Sequence, residues 1–448
     1  MQQTEVKEYK TLIVGLGKTG LSCARYLSAH GVPVAVTDTR EQPPGLEALR
    51  SELPDLALFL GGFDASVFEA AERLVVSPGV PVSEPLIQEA MERGVPVVGD
   101  IELFAQIADA AVVAITGSNG KSTVTTLVGA MAEQAGLRTR IGGNLGEPAL
   151  DLLGQGAEFY VLELSSFQLE TTRSLHAKAA VVLNISSDHM DRYSGVDAYA
   201  QVKSDIYNQA EIGIFNLDDP RVAAMRKGHE SDLFFTLGKP GKNCFGMCRI
   251  DDVEWICYEQ RTLMPAAELL MPGRHNLSNA LAALALGSAM GLSDSAMLDT
   301  LKQFRGLSHR TQFVAEHAGV RWYNDSKGTN VGACVAALQG FEGAGKTVLI
   351  AGGDSKGADF STLGAVVQQT TRAVVLIGRD APVIEQALGG AVAVLHAASM
   401  EEAVSLAAKQ ARSGDRVLLS PACASFDMFS GYEQRGEVFM DAVGKVIQ

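Results

Sequence analysis

Three segments place a lysine beside glycine directly after an apolar run: GSNGKST (117–123), NDSKGTN (324–330) and GGDSKGADF (352–360). The first carries the most chemistry. Binding a phosphate needs backbone N–H groups converging on its oxygens, a helix dipole behind them and a cation in front. Gly117 and Gly120 let the backbone approach, Lys121 can reach β- and γ-phosphates, and Ser122 or Thr123 can ligate Mg²⁺. The spacing departs from GxxxxGK[ST], because Gly117 lies only three positions before Gly120. The alternative is a plain glycine-rich turn between strand and helix. Each of the other two loops reads alone as a polar turn, but two in one unit suggest a site for an anionic substrate.

A second glycine motif, GLGKTG (15–20), follows a strand-like run, and Asp38 ends the next one. Such a fingerprint serves NAD, FAD and other nucleotide ligands alike. Hydride transfer fits poorly with an ATP-type loop in the following unit, so a nucleotide-linked substrate is the better reading. In ELSSFQLE (163–170), Glu163 ends another strand-like run, where α/β proteins place chemistry and where an acid can hold Mg²⁺. NISSDHMDRY (184–193) sets His189 beyond a further strand, as a site residue or a structural histidine. Asp188 and Asp191 also read as helix caps. Lys203, in AQVKSDIYNQA, reads by itself as part of a solvated helix face.

These residues need elements to hold them. At roughly 150 residues per domain, 448 residues suggest about three domains. Apolar runs of strand length alternate with helix-like stretches, the α/β pattern. Strand candidates are TLIV (11–14), VPVAVTD (32–38), RLVVSPG (73–79) and VPVVGD (95–100) in a first unit, 1–99. A second, 100–306, holds AVVAIT (111–116), FYVLEL (159–164), AAVVLNI (179–185) and IGIFNL (212–217). Behind the phosphate loop, Val124, Leu127, Val128 and Met131 mark one face of a helix. The stretch 244–270 reads as a small β segment, and 277–292 as an internal helix. The third unit, 307–448, holds VRWYND (320–325), KTVLIAGG (346–353), AVVLIG (373–378), AVAVLH (391–396) and DRVLLSP (415–421).

Thirty-seven Lys and Arg against 52 Asp and Glu give −15, which repels nucleic acid and anionic membranes. An anionic ligand must therefore be held by local devices. The six cysteines include no CxxC pair and read as reduced thiols. The N-terminus lacks an apolar signal core, and no apolar run approaches the ~18 residues of a spanning helix. The expectation is a cytoplasmic protein.

Taken together, GSNGKST, ELSSFQLE, NISSDHMDRY, GRHNLSNALAA (273–283), SHR (308–310) and NDSKGTN resemble the Mur ligase family, in its order and over essentially the whole chain. GLGKTGLSCARYL, VVSPGVP (75–81), GGNLG (142–146) and LSPACASFDMFSGYEQRG (419–436) are similar to the branch that adds D-glutamate. The resemblance implies three α/β domains: an N-terminal Rossmann-like unit, a central P-loop-type ATPase with a parallel sheet, and a C-terminal Rossmann-like unit. It implies an ATP-dependent ligase of peptidoglycan precursor synthesis, serving cell-wall biogenesis, cell shape and division. ATP would phosphorylate the L-alanine carboxylate of UDP-N-acetylmuramoyl-L-alanine, and D-glutamate would attack the acyl phosphate. A monomer is expected.

The resemblance also implies site roles. Gly117, Ser118, Asn119, Gly120, Lys121, Ser122 and Thr123, with Asn276, Asn279, Arg310 and Asp325, would hold ATP. Ser122 and Glu163 would serve one Mg²⁺ and His189 a second, assisted by Lys203 if carbamylated. Lys121, His189 and Lys203 would be catalytic. Gly17, Lys18, Thr19, Asp38, Thr39, Arg40 and Gly79 would hold UDP, with Asn144, Gln168 and His189 towards the muramoyl-alanine end. Lys327, Thr329, Lys356, Ser425 and Phe426 would receive D-glutamate.

Overall fold

The computed structural model describes residues 9–271, 273–341 and 345–447. Most of the N-terminal segment read above for a signal core, positions 1–8, lies outside them. Three sheets follow one another along the chain. The first comprises β1 (Thr11–Val14), β2 (Val34–Asp38), β3 (Ala57–Leu60), β4 (Arg73–Val76) and β5 (Val97–Val98), all parallel in the order β3-β2-β1-β4-β5. Its order reverses between β1 and β4, the switch point beyond which a doubly wound sheet opens a crevice.

The central sheet has nine strands: β6 (Ala111–Thr116), β7 (Thr139–Gly143), β8 (Phe159–Glu163), β9 (Ala177–Val182), β10 (Ile212–Asn216), β11 (Leu233–Phe235), β12 (Cys244–Ile250), β13 (Val253–Tyr258) and β14 (Arg261–Pro265). They run in the order β14-β13-β12-β11-β10-β9-β6-β8-β7. The sheet is parallel from β7 to β12, as expected, and adds two antiparallel strands, β13 and β14, at one edge. These come from the 244–270 stretch read as β. The third sheet comprises β15 (Gln312–His317), β16 (Val320–Asn324), β17 (Thr347–Gly352), β18 (Thr371–Ile377), β19 (Ala393–His396) and β20 (Arg416–Leu419). Its order is β15-β16-β20-β17-β18-β19, with only β15 antiparallel.

Helix Lys121–Gln134 lies behind the phosphate loop, and Val124, Leu127, Val128 and Met131 are fully buried on it. That stripe packs with the Ala/Leu-rich helix Arg274–Ala289 in one apolar cluster. Burying each such side chain contributes about 1.5–3 kcal/mol.

The cores are not divided three ways. One continuous cluster runs from Ile13, Leu16 and Leu27 of the first unit through Phe104 to Tyr160, Leu162 and Tyr207 of the second. The two clusters of the third sheet, by contrast, contain no residue before Val314. The first two units therefore share apolar packing, whereas the third keeps its own. Among the described residues no helix is long and apolar enough to cross a membrane.

Candidate active site

The phosphate loop leaves β6 at Thr116, where the central sheet also reverses its order. Gly117 has φ 148° and Gly120 φ 85°, both in the region that favours glycine. A Cβ on Gly120 would drive into the Asn279 side chain, so only glycine fits against the neighbouring helix. The loop is braced by Asn184, whose side-chain Oδ1 accepts from the Asn119 N–H at 2.8 Å and whose Nδ2 donates to Asn119 O at 3.0 Å. The Ser118 hydroxyl donates to Ser186 O at 3.0 Å. Lys121 Nζ donates back to Gly117 O and Ser118 O, at 2.8 and 3.0 Å. It rests on its own loop, free to transfer to an incoming anion.

The carboxyl edges of the central and third sheets face one another across a cleft of about 660 Å³. Asn119, Gly120 and Thr123 line one side, with Asn276 and Asn279 from the Arg274–Ala289 helix. Arg310, Asp325 and Lys327 line the other. The Arg310 guanidinium donates to Ser122 Oγ at 2.8 Å. Asp325 accepts from the Thr311 N–H at 3.0 Å and from Ser420 Oγ at 2.7 Å. Burial nevertheless raises its pKa to about 6, outweighing those hydrogen bonds. Lys327 lies 3.6 Å from the Tyr432 ring centre, and burial, then Arg310, lower its pKa to about 8. Burial likewise lowers Lys121, with Glu163 and Asp188 pulling the other way. These part-buried cations, Arg310 and Lys327 in the cleft and Lys121 beside it, give the site positive charge for an anion.

A second cleft, about 580 Å³, opens at the switch point of the first sheet. Gly17, Lys18, Thr19, Asp38, Thr39, Arg40 and Gly79 line it from the first unit, and Asn144 and Gln168 from the second. Asp38 receives a fork from Arg40, at 2.8 and 2.7 Å, and the Leu16 N–H at 2.7 Å. Burial pushes this carboxyl up, but those hydrogen bonds outweigh it and hold the group below its ordinary range. Lys18 Nζ reaches across the cleft to Gly146 O at 2.5 Å.

One pair links the lining of the second cleft to a carboxylate near Lys121 of the phosphate loop. Asn144, in the lining of the second, donates to Glu163 Oε1 at 2.7 Å, at the end of β8 beside the phosphate loop. Glu163 Oε2 is buried and has no hydrogen-bond partner among the described residues. A carboxylate oxygen left so exposed to its own charge fits a cation ligand. Lys203 is buried too, donating to Thr116 Oγ1 at 3.0 Å and sitting 4.7 Å from the Tyr199 ring centre. Burial, then Lys121, depress its pKa well below that of an ordinary lysine. The solvated-face reading of Lys203 therefore fails. His189 adopts φ 56°, packs edge-on against Phe167 with ring centres 4.8 Å apart, and lines neither cleft. Burial lowers its pKa against the pull of Asp188, which favours the neutral imidazole that metals bind. Among the described residues no three His, Cys, Asp or Glu side chains gather to hold a metal unaided.

Of the remaining residues expected at the site, Thr329 follows Lys327 in the same loop, and its N–H donates to Lys327 O at 2.8 Å. Ser425 is buried, whereas Phe426 is 73% exposed. Lys356 takes φ 48° in the turn after β17. Three side chains that organise the site escaped the sequence reading as site residues. Asn330 ties the Lys327 loop to Asn119 and Asp188, at 3.2 and 3.1 Å. Asp100 accepts from Gln168 Nε2 at 2.9 Å. Arg435, 1% exposed, donates to Ser326 O, Cys423 O and Ala424 O at 2.8–3.2 Å. The EQRG run was visible, but its reach of more than 100 positions was not.

Comparison with known proteins follows the same three units. The model described as Mur ligase MurD-like, N-terminal domain, matches residues 9–99. The Mur ligase middle domain matches 115–287, and the Mur ligase, glutamate ligase domain, matches 309–423. The UDP-N-acetylmuramoylalanine--D-glutamate ligase of Nitrosococcus oceani is 55% identical over 98% of this chain and 97% of its own. That of Pseudomonas aeruginosa is 52% identical over 96% and 97%. Among solved structures, the UDP-N-acetylmuramate-alanine ligase of Thermotoga maritima matches 98% of this chain and 99% of its own, with TM-score 0.59 and 17% identity. A pseudomurein peptide ligase type C of Methanothermus fervidus matches 98% and 100%, with TM-score 0.60 and 17% identity. The structures share the fold, and the sequence relatives share far more. With all three units matched in order and more than half the residues identical to a relative along nearly its whole length, the chain belongs to the Mur ligase family.

Proposed function

We propose that this protein joins D-glutamate to UDP-N-acetylmuramoyl-L-alanine with ATP, in the cytoplasmic synthesis of peptidoglycan precursors. The relatives named for that reaction support it, and one observation carries it: the Asn144–Glu163 hydrogen bond at 2.7 Å joins the nucleotide-sugar cleft to the phosphate loop. A carboxylate extended from the nucleotide-sugar cleft would thus arrive beside the terminal phosphate at the phosphate loop.

A carboxylate is a poor acyl donor. Its oxygen attacks the γ-phosphorus, the bond to ADP breaks, and an acyl phosphate forms. The D-glutamate nitrogen then attacks the carbonyl carbon, phosphate leaves, and the surplus proton passes to solvent. Lys121 and Arg310 screen the approach of two anions. Asn276, Asn279 and Asp325 hold the nucleotide. Mg²⁺, held by Ser122 and Glu163, with a second ion at His189 and a carbamylated Lys203, would supply charge neutralisation at the phosphates. Lys327, Lys356, Thr329, Ser425 and Phe426 receive the amino acid, Lys356 pairing with its side-chain carboxylate. The protein acts as a monomer. The test is an amino-acid panel with ATP and UDP-N-acetylmuramoyl-L-alanine, reading phosphate and amide together. D-Glutamate alone should give both in equal amounts. Preference for another amino acid would move the chain to a different branch, and phosphate without amide would reject ligation.

A further inference from the structure

Asn330 is 7% exposed and every hydrogen-bonding position of its amide is taken. Its Oδ1 caps helix Val331–Gly340 by accepting from the Ala333 N–H at 2.8 Å, and also accepts from Asn119 Nδ2 at 3.4 Å. Its Nδ2 donates to Asn119 Oδ1 at 3.2 Å and to Asp188 Oδ2 at 3.1 Å. One side chain therefore holds a helix of the third unit, the phosphate loop and the turn that carries His189. Asn119 in turn donates to Ser186 Oγ at 3.3 Å, and a Cβ on Gly332 would come within 2.8 Å of that same hydroxyl. The approach is tight, and it is polar. The apolar clusters of the third sheet begin at Val314, so these side-chain hydrogen bonds join the contact of helix Val331–Gly340 with helix Arg274–Ala289 in seating this part of the unit.

We propose that Asn330 is a positioning residue for amide formation, fixing the acceptor loop of Lys327 and Thr329 against the phosphate loop so that amine and acyl phosphate meet. This rests on the ligase reading above and deepens it. Asn330 touches neither reactant in the proposed reaction. It acts because it immediately follows the acceptor loop in the chain and bonds the donor side directly. Helix capping alone needs only an oxygen, which Ser, Thr or Asp supplies as well. The two donated bonds need the amide nitrogen, and capping gives no reason for them. A displacement of about 1 Å at reacting groups costs on the order of 100-fold in rate, and a looser seat admits water.

The decisive variants keep the cap and remove the nitrogen. Asn330→Ser keeps an oxygen for Ala333. Asn330→Asp does the same and sets a second carboxylate against Asp188. We expect the melting temperature of Asn330→Ser to stay near that of the parent. Its turnover should fall by about tenfold or more, with a raised KM for D-glutamate and an unchanged KM for ATP. Asn330→Asp should lose about 100-fold. In both, phosphate released per amide formed should exceed one, because water reaches the acyl phosphate. A helix cap alone, which both variants keep, would leave turnover and that ratio as in the parent. Parent-like turnover and a ratio of one in Asn330→Ser would overturn the proposal. So would failure of both variants to fold, since the residue would then serve the fold itself. If the parent protein makes no amide from D-glutamate, it is the ligase reading that fails.

Discussion

Arg310 Nη2 donates to Ser122 Oγ at 2.8 Å, so the segment entering the third unit is bonded to the first turn of the phosphate-loop helix. Both residues are expected around the nucleotide, and each now occupies the other. In the proposed reaction Arg310 would release this hydroxyl as Ser122 turns to a cation, leaving its charge for phosphate. Arg310→Ala should lower phosphate release by about 10²–10³-fold, the usual cost of losing one preorganised charge-stabilising donor. Binding of the UDP-substrate, measured by calorimetry, should change little. Comparable losses in both would deny Arg310 a place at the nucleotide.

Lys203 is a buried lysine with a hydroxyl for company, and its depressed pKa favours the neutral amine that reacts with CO₂. The product is an anion within reach of the charge demanded beside the phosphates. Lys203→Ala should be nearly inactive, and acetate or formate should restore part of the activity by filling the vacated space. A mass spectrum or density showing only the unmodified amine in the Mg²⁺–nucleotide complex would remove this role.

Asp100 provides a pH signature of the fold. Its carboxyl is fully buried, and one oxygen has no partner among the described residues. Burial raises its pKa to about 6 despite the Gln168 hydrogen bond. A carboxyl that holds its proton more tightly when folded stabilises the fold fully below its unfolded pKa, and loses that contribution as pH rises through 6. Asp100→Asn cannot ionise. The stability of this variant relative to the parent, from urea denaturation, should therefore rise between pH 4 and 7, by on the order of 2 kcal/mol. A difference that does not vary with pH would mean the buried carboxyl is not the titrating group.

Arg435 fastens the loops that carry Lys327 and Ser425. Its guanidinium also donates to Ser326 Oγ, at 3.0 Å. Arg435→Met would strand several buried acceptors and should cost about 3 kcal/mol or more. Arg435→Lys, which keeps the charge without the fork, should recover part of that and still raise the KM for D-glutamate. An unchanged KM in a folded Arg435→Lys protein would limit the residue to stability.

Local periodicity and turn chemistry made much of this legible in advance. The Val124–Met131 stripe and the glycines of GSNGKST sit where helix geometry and backbone approach demand. The strands missed are short or poorly patterned. Residues 57–60 are only half-buried, 139–143 end in two glycines, 233–235 span three residues, and 312–317 form a largely exposed edge. The site reading failed where meaning lies in a distant partner. Nothing near Asn330 reveals that its amide meets Asn119, 211 positions away, and nothing near Lys203 reveals that its Nζ bonds Thr116, 87 positions away.

The apolar cluster that joins the first two units has a consequence for how the chain is made. Ribosomes deliver the N-terminal sheet first, yet its Leu16 and Leu27 belong to a cluster completed by Tyr160, Leu164 and Leu175, which come more than 100 positions later. Until those residues emerge, the nascent first unit carries a bare hydrophobic face, the condition under which chains aggregate or recruit chaperones. The third unit carries no such debt to its predecessors and can complete its own interior as soon as it leaves the tunnel.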